Sequence, residues 1–235
     1  MKKTIAIIGA GPGVGFAVAE KFGNEGYNVA LLARNIEKLN TLKEKLLKKG
    51  IQAAAFQTDI LNRESLTRAL EEAAAYYGSI DVLEFSPTPT WESLRTPRNI
   101  DVENEQFHLD FQVLAAIAAV RAVLPKMLER KEGSILFTTA SSAQRPVSLT
   151  GSFGVAAGAL LNYARLLHAD LAQDSIYAGI ISIGALVVGE DLPAKGDFPE
   201  GMPTIKASEV ADAHWKLHEQ RVTVELILGD VEALS

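Results

Sequence analysis

Four glycines crowd the end of the first apolar run of this chain. Gly9, Gly11, Gly13 and Gly15 follow the stretch Thr4–Ile8 and overlap a helical pattern that begins at Val14. A strand that runs through a glycine turn into a helix restricts the fold more than any other feature here. The next parallel strand must then be reached by crossing over through that helix, so the sheet is largely parallel and covered by helices. The same turn leaves backbone N–H groups at a helix N-terminus, where a diphosphate can be held. Glycine suits the turn because a Cβ would strain it and block close approach of phosphate oxygens.

The rest of the chain continues the alternation. The pattern predicts strands at Thr4–Ile8, Asn28–Ala33, Ile51–Gln57, Val82–Phe85, Ser134–Thr138, Ala178–Ile183 and Thr223–Leu228. Helices are predicted near Val14–Asn24, Ile36–Lys48, Arg63–Tyr77, Val102–Glu129, Gly154–Ala172 and Ala207–Glu219. This order implies an α/β fold, a doubly wound and mostly parallel Rossmann-like sheet of about seven strands flanked by helices. No repeat or linker divides residues 1–235, and a hydrophobic share of 48% suits one dinucleotide-binding domain. Two loops rich in proline follow strand ends, Ser86–Arg98 and Gly189–Lys206. Ligands bind at such ends in open sheets; the second loop reads either as a lid or as a plain surface excursion.

Composition narrows the function classes. The net charge is −6 with no basic block, which argues against a nucleic-acid groove. The chain has no cysteine, so disulfides, thiol catalysis and thiolate metal sites are excluded. The apolar run after Lys2-Lys3 ends at Ile8, short for a signal peptide, and no uninterrupted apolar run reaches the length of a membrane span. A cytoplasmic location, a small-molecule ligand of undefined class and no membrane partner are the expectations.

The glycine turn, the element order and the length together resemble the short-chain dehydrogenase/reductase family over nearly the whole chain. Gly9-x-x-x-Gly13-x-Gly15 has that family's spacing. The resemblance implies a nicotinamide dinucleotide cradled by Gly9, Gly11, Pro12, Gly13, Val14 and Gly15. It implies further contacts from Arg34 and Asn35 after the second strand, and from Asp59 and Ile60 after the third. Ser86, Pro87 and Gly184 complete the cofactor set. Asp59 is read as the acid that hydrogen-bonds the adenine, or as a cap or turn acid before the following helix. Where members that prefer NAD carry an acid, this chain has Ala33 followed by Arg34. A guanidinium pairs bidentately with a ribose 2′-phosphate, so NADP(H) is favoured over NAD(H); the bland alternative is a surface arginine opening a helix. Pro12 stands where many NADP-preferring relatives have a base, so no second cation is expected there.

The resemblance breaks at the catalytic positions. The family uses Tyr-x-x-x-Lys on one helix face, a serine thirteen residues earlier and an asparagine on the preceding helix. The ammonium lowers the phenol pKa, and the phenol then exchanges a proton with the substrate oxygen. With Leu160–Arg165 as anchor, Phe153 falls at the tyrosine and Ala157 at the lysine. Ala140 falls at the serine and Gln112 at the asparagine. Four substituted positions predict loss of the ordinary mechanism, since a positioned acid or base contributes roughly 10²–10⁴ in rate. Ser141 and His108 are the candidate replacements; each also reads blandly, Ser141 as a turn residue and His108 as a surface group. Tyr163 lies about 15 Å along the helix from position 153, out of reach.

The expected function is therefore an NADP(H)-binding relative, nominally an oxidoreductase, without the ordinary proton donor. The alternatives are an active enzyme with a relocated donor or an unusual substrate such as an iminium, and a sensor or scaffold without catalysis. The apolar run Leu114–Val120 and the Ala/Gly-rich start of the Gly154–Ala172 helix predict a homodimer or homotetramer through these two helices, or burial within one subunit. His214 and His218, four apart with Asp212 nearby, have metal-ligand spacing but no placed third ligand; no metal is expected, and the reading is an exposed helix face. Trp91 either stacks on a ligand or anchors its loop.

Overall fold

A computed structural model describes residues 2–189 and 203–230. Strands β1 (Thr4–Ile8), β2 (Asn28–Ala33), β3 (Ala53–Gln57), β4 (Val82–Phe85), β5 (Gly133–Ala140) and β6 (Ile176–Gly184) form one parallel sheet with β9 (Glu225–Gly229). A separate parallel pair joins β7 (Leu186–Val188) to β8 (Thr204–Lys206). The main sheet runs β3-β2-β1-β4-β5-β6-β9. The chain thus winds outward from β1 to one edge, returns, and winds to the other. The reversal opens a crevice at the C-terminal ends of β1 and β4.

Period-two alternation decides which helices cover which face. Ile5 and Ile7 of β1 pack with α1 (Val14–Asn24), α2 (Ile36–Lys48) and α7 (Ala207–Gln220). Ala6 and Ile8 pack on the other face with α3 (Arg63–Tyr77), α5 (Ala115–Arg130) and α6 (Gly151–Leu171). All five residues of β1 are buried, as a central strand covered on both faces requires.

Several boundaries differ from the sequence expectation. β3 starts at Ala53 rather than Ile51, because Ile51 N–H donates to Leu46 O and closes the end of α2. α6 starts three residues early, at Gly151. The helix expected at Val102–Glu129 is one run from α4 (Val102–His108) to α5, but Leu109–Leu114 between them is wound as a π-helix. By length and mean hydropathy the run Val102–Arg130 could span a membrane, although Gln112 and Arg121 interrupt its apolar residues. It is a core helix here: Phe111, Ala116, Ala119, Val120 and Met127 are buried against the sheet and its neighbours. The loop expected at Gly189–Lys206 ends in strand β8; the lid reading for its middle falls on residues outside those described.

Candidate functional site

The crevice has two halves. In the first, Gly9 N–H and Ala10 N–H both donate to Leu32 O, at 3.0 and 3.1 Å, which pins the glycine turn to the end of β2. Gly9 has φ +89°, and a Cβ there would lie 2.6 Å from Pro87 N. A Cβ on Gly15 would approach Ala10 Cα to 3.0 Å, so this glycine lets α1 sit close on the strand. Gly11 is different. A Cβ there would meet nothing nearer than Gly9 O at 3.7 Å, so internal packing makes no demand for glycine. A demand at Gly11 would have to come from outside, from a group laid against the turn.

The start of α1 fits the same occupant. Its cap is Gly13, with no side-chain bond to the first N–H groups and no acid in the first turn. By contrast, Asn35, Asn62 and Asp101 cap α2, α3 and α4 through their side chains. Among the described residues no acid caps α1; Phe16 N–H and Ala17 N–H bond Gly11 O and Gly13 O, and a diphosphate would meet the N–H groups before them and the positive end of the helix dipole. Pro12 and Val14 lie in this turn between the glycines.

Further along, an open hollow of about 390 Å³ is lined by Arg34, Gln57, Thr58, Asp59 and Ser65. An adjoining hollow of about 650 Å³ is lined by Arg34, Asn35, Ile36, Glu37, Lys38 and Gln57. Arg34 and Lys38 are both exposed. Lys38 belongs to the charged stretch Glu37–Lys49, whose sequence reading is the solvated face of α2, and it lines the second hollow beside Arg34. Asn35 Oδ1 accepts from Lys38 N–H, so its side chain serves first as the cap of α2. Asp59 Oδ1 accepts from Leu61 N–H at 3.0 Å, which realises the turn role weighed for it while leaving it on the wall of the hollow. Ile60 beside it is buried in the core.

In the second half, Ser86 and Pro87 at the end of β4 press against Gly9. Gly184 ends β6 opposite Gly229. Ala140 ends β5 and leads into a short 3-10 turn, Ser141–Ala143. Ser141 is buried, and its carbonyl accepts from Gln144 N–H and Arg145 N–H at 3.0 Å each, so its backbone opens the turn. Phe153 and Ala157 lie one turn apart on α6, and Ala157 is fully buried. Gln112 lies buried in the π-wound segment with no partner for its Nε2.

His108 is fully buried, against the expectation of a surface group. Its ring stands edge-on to Phe153, with centroids 6.3 Å apart. The cause is the loop after β4. Ser93 O lies 3.1 Å from His108 Nε2 and accepts from Asn104 Nδ2 at 2.7 Å. Arg95 N–H donates to Ser152 Oγ, and Ser152 N–H to Arg95 O. The loop is thereby fastened across α4 and the start of α6, sealing the imidazole. His108 Nδ1 and Ser142 Oγ are buried without partners. Trp91, in the same loop, is 51% exposed.

A family model for short chain dehydrogenase matches residues 3–189. The chain belongs to the short-chain dehydrogenase family. An uncharacterized oxidoreductase of Staphylococcus epidermidis is 25% identical over 214 residues, covering 91% of this chain and 90% of that protein. The L-sorbose reductase of Gluconobacter frateurii, solved with NADPH and L-sorbose, shares the fold at a TM-score of 0.85 and 22% identity over 99% of this chain and 98% of its own. A 7α-hydroxysteroid dehydrogenase solved with NADH superposes at 0.86 with 20% identity, over 99% and 96%. Solved relatives thus hold either NADPH or NADH in this fold.

Within this family member, α7 brings another correction. His214 and His218 are buried, not on an exposed face. His218 Nε2 lies 2.8 Å from Tyr27 Oη, and its Nδ1 2.8 Å from Ser134 Oγ. His214 Nε2 lies 2.8 Å from Thr138 Oγ1 and 3.8 Å from Glu84 Oε1. Among the described residues no group of three metal-ligating side chains exists. Glu84 was also missed; its signal was a carboxylate within the otherwise apolar run Val82–Phe85. Burial pushes its carboxyl up to about 8, and burial pushes His214 down to about 3 and His218 to about 4. Tyr163 packs against Phe137, and burial raises its phenol to about 12, so it offers no accessible acid.

Proposed function

We propose that this family member binds NADP(H) and lacks the phenol–amine route by which its relatives move a proton. One observation carries the reading: the α6 positions aligned with the family's tyrosine and lysine hold Phe153, packed on His108, and Ala157, buried. A phenyl ring has no acidic proton and a methyl group no charge. Neither can protonate a substrate oxygen or grip a ribose.

The other half of the crevice supports cofactor binding. The uncapped start of α1 and the outward space at Gly11 suit a diphosphate. Asp59 would hold the adenine, while Arg34 with Lys38 would meet a ribose 2′-phosphate. Ser86, Pro87 and Gly184 would underlie the nicotinamide end. The cofactor, when bound, supplies hydride chemistry. The chain's part is to bind and orient it, with Phe153 keeping water from that face. Exposed Leu114, Val155 and Leu166 on the central helix and α6 support self-association through these helices.

The test pairs calorimetric titration of NADPH with turnover across a panel of carbonyl substrates. Tight binding with turnover at least 10²-fold below that of ordinary family members is expected. Reduction at ordinary family rates would overturn the reading.

A second reading has its own observation. His108 touches Phe153 and has a spare ring nitrogen. If turnover is found, and His108→Ala abolishes it without loss of NADPH binding, the imidazole is the relocated donor. An unchanged rate in both His108→Ala and Ser141→Ala removes that version and leaves a substrate that needs no protein acid.

A further inference from the structure

Beneath the floor of the crevice runs a chain of buried polar groups for which the proposed function has no use. Ser86 Oγ donates to Glu84 Oε2 at 3.0 Å. Thr138 Oγ1 lies 3.2 Å from Glu84 Oε1 and 2.8 Å from His214 Nε2. Glu84 and His214 are fully buried. The chain begins at the cofactor side, because the Ser86–Pro87 backbone is the surface against which Gly9 packs, within 2.9 Å of where a Cβ would stand.

Proton positions follow from the partners. An imidazolium needs acceptors for two N–H groups, and His214 Nδ1 has none. His214 is therefore neutral. A carboxylate at Glu84 would then have no cation among the described residues to balance it. Among the described residues the facing groups are few. β4 contributes Ser86, β5 contributes Thr138, α7 contributes His214, and β1 presents only the apolar Ile7. The buried residues of α1 are Gly15, Val18, Ala19 and Phe22, none of them titratable. His218, one turn along α7, is engaged by Tyr27 and Ser134, and Arg221 lies beside Ser134 rather than Glu84. A charge in such surroundings is disfavoured, so the group keeps its proton at neutral pH.

We propose that Glu84 is a positioning residue for the dinucleotide: its neutral acid holds Ser86 and the floor of the crevice, and its ionised form opposes the anionic cofactor. Binding of the cofactor and retention of one proton are then coupled, each favouring the other. The inference rests on the dinucleotide reading, and goes beyond it in making affinity depend on a group that never touches the ligand. The direction is fixed by charge. A negative carboxylate one serine below the nicotinamide end opposes the net negative charge of the cofactor, so affinity falls as pH rises through the titration of Glu84, which burial places near 8.

The test is titration of the intact protein with NADPH, followed by cofactor fluorescence, from pH 6.5 to 9.5. A fall in affinity of about five- to tenfold across the range is expected, since one pKa unit of coupling is tenfold in affinity. Glu84→Gln keeps shape and neutrality, and its profile should be flat at the wild-type affinity of neutral pH. Thr138→Val removes a donor that favours the carboxylate, so its fall should begin at higher pH. Repeating the titration with NADH, which lacks the 2′-phosphate, should give the same fall. Wild-type binding that does not change with pH overturns the proposal while leaving dinucleotide binding intact, as does a Glu84→Gln profile that still falls. Absence of binding at every pH overturns both.

Discussion

The two halves of the crevice handle charge in opposite ways. The glycine half is open and polar, with an uncapped helix start and two exposed cations, Arg34 and Lys38, ready for anions. The half after β4, β5 and α6 is closed and neutral. It has an aromatic ring, Phe153, on a sealed imidazole, the buried methyl group of Ala157, and a buried acid and base whose burial favours the uncharged form of each. Binding an anion needs only shape and fixed dipoles, and the first half offers both. Proton transfer needs a titratable group at the surface of the cleft, and in the second half such groups lie underneath.

The largest expected effect separates two glycines in the first half. Gly9→Ala should cost about 3 kcal/mol or more of folding stability, because its Cβ would meet three backbone atoms under 3.0 Å at a positive φ. Gly11→Ala should leave the unfolding midpoint in denaturant unchanged and weaken NADPH binding about tenfold or more, since only a ligand occupies that space. Equal destabilisation by both changes would erase the distinction between a turn that needs glycine and one that offers it.

The glycine half was legible in the sequence because its determinants are local. A turn type and an i,i+4 helix face are set within a few residues, and α1, α2 and α3 have the boundaries the pattern predicts. That Phe153 and Ala157 share one helix, a turn apart, was also legible, since the helical pattern covers both. The burial of His108 was not. It depends on Ser93, fifteen residues away on a loop whose path no periodicity encodes. His214 was misread for a related reason. Its polar neighbours Thr138 and Glu84 lie on different strands, so the sequence offered an exposed histidine pair where the fold builds a buried network.

The buried groups of the second half should shape stability against pH. His214 and His218 have folded values below the ordinary 6.5, so their contribution is present above 6.5 and is lost as pH falls toward 4 and 3. Glu84 is raised from 4.5 to about 8, so its contribution is present below 4.5 and declines as pH rises, levelling off above 8. Two histidines outweigh one acid below 6.5, and the acid acts alone above it. Denaturant unfolding should therefore show a maximum near pH 6.5. The fall from 6.5 to 8 should be about 2 kcal/mol, at about 1.4 kcal/mol per pH unit for one proton, and Glu84→Gln should abolish it. His214→Leu should flatten the acid side instead. A curve that stays flat from pH 6.5 to 8 would mean that Glu84 is already ionised there beside a neutral His214, and the two halves would then be alike in carrying charge.

The smallest effects test the cations. Arg34→Ala should weaken NADPH about tenfold or more and leave NADH within twofold, because only NADPH brings a 2′-phosphate for a guanidinium fork to grip. Lys38→Ala should cost only about two- to fivefold, since an ammonium exposed on α2 acts as a screened point charge. Salt distinguishes them further. Raising ionic strength should remove most of the Lys38 contribution while the bidentate Arg34 contact keeps part of its own. Equal losses for NADH and NADPH in either variant would mean that these side chains meet the diphosphate or adenine, and that the open half selects for a dinucleotide without choosing between its two forms.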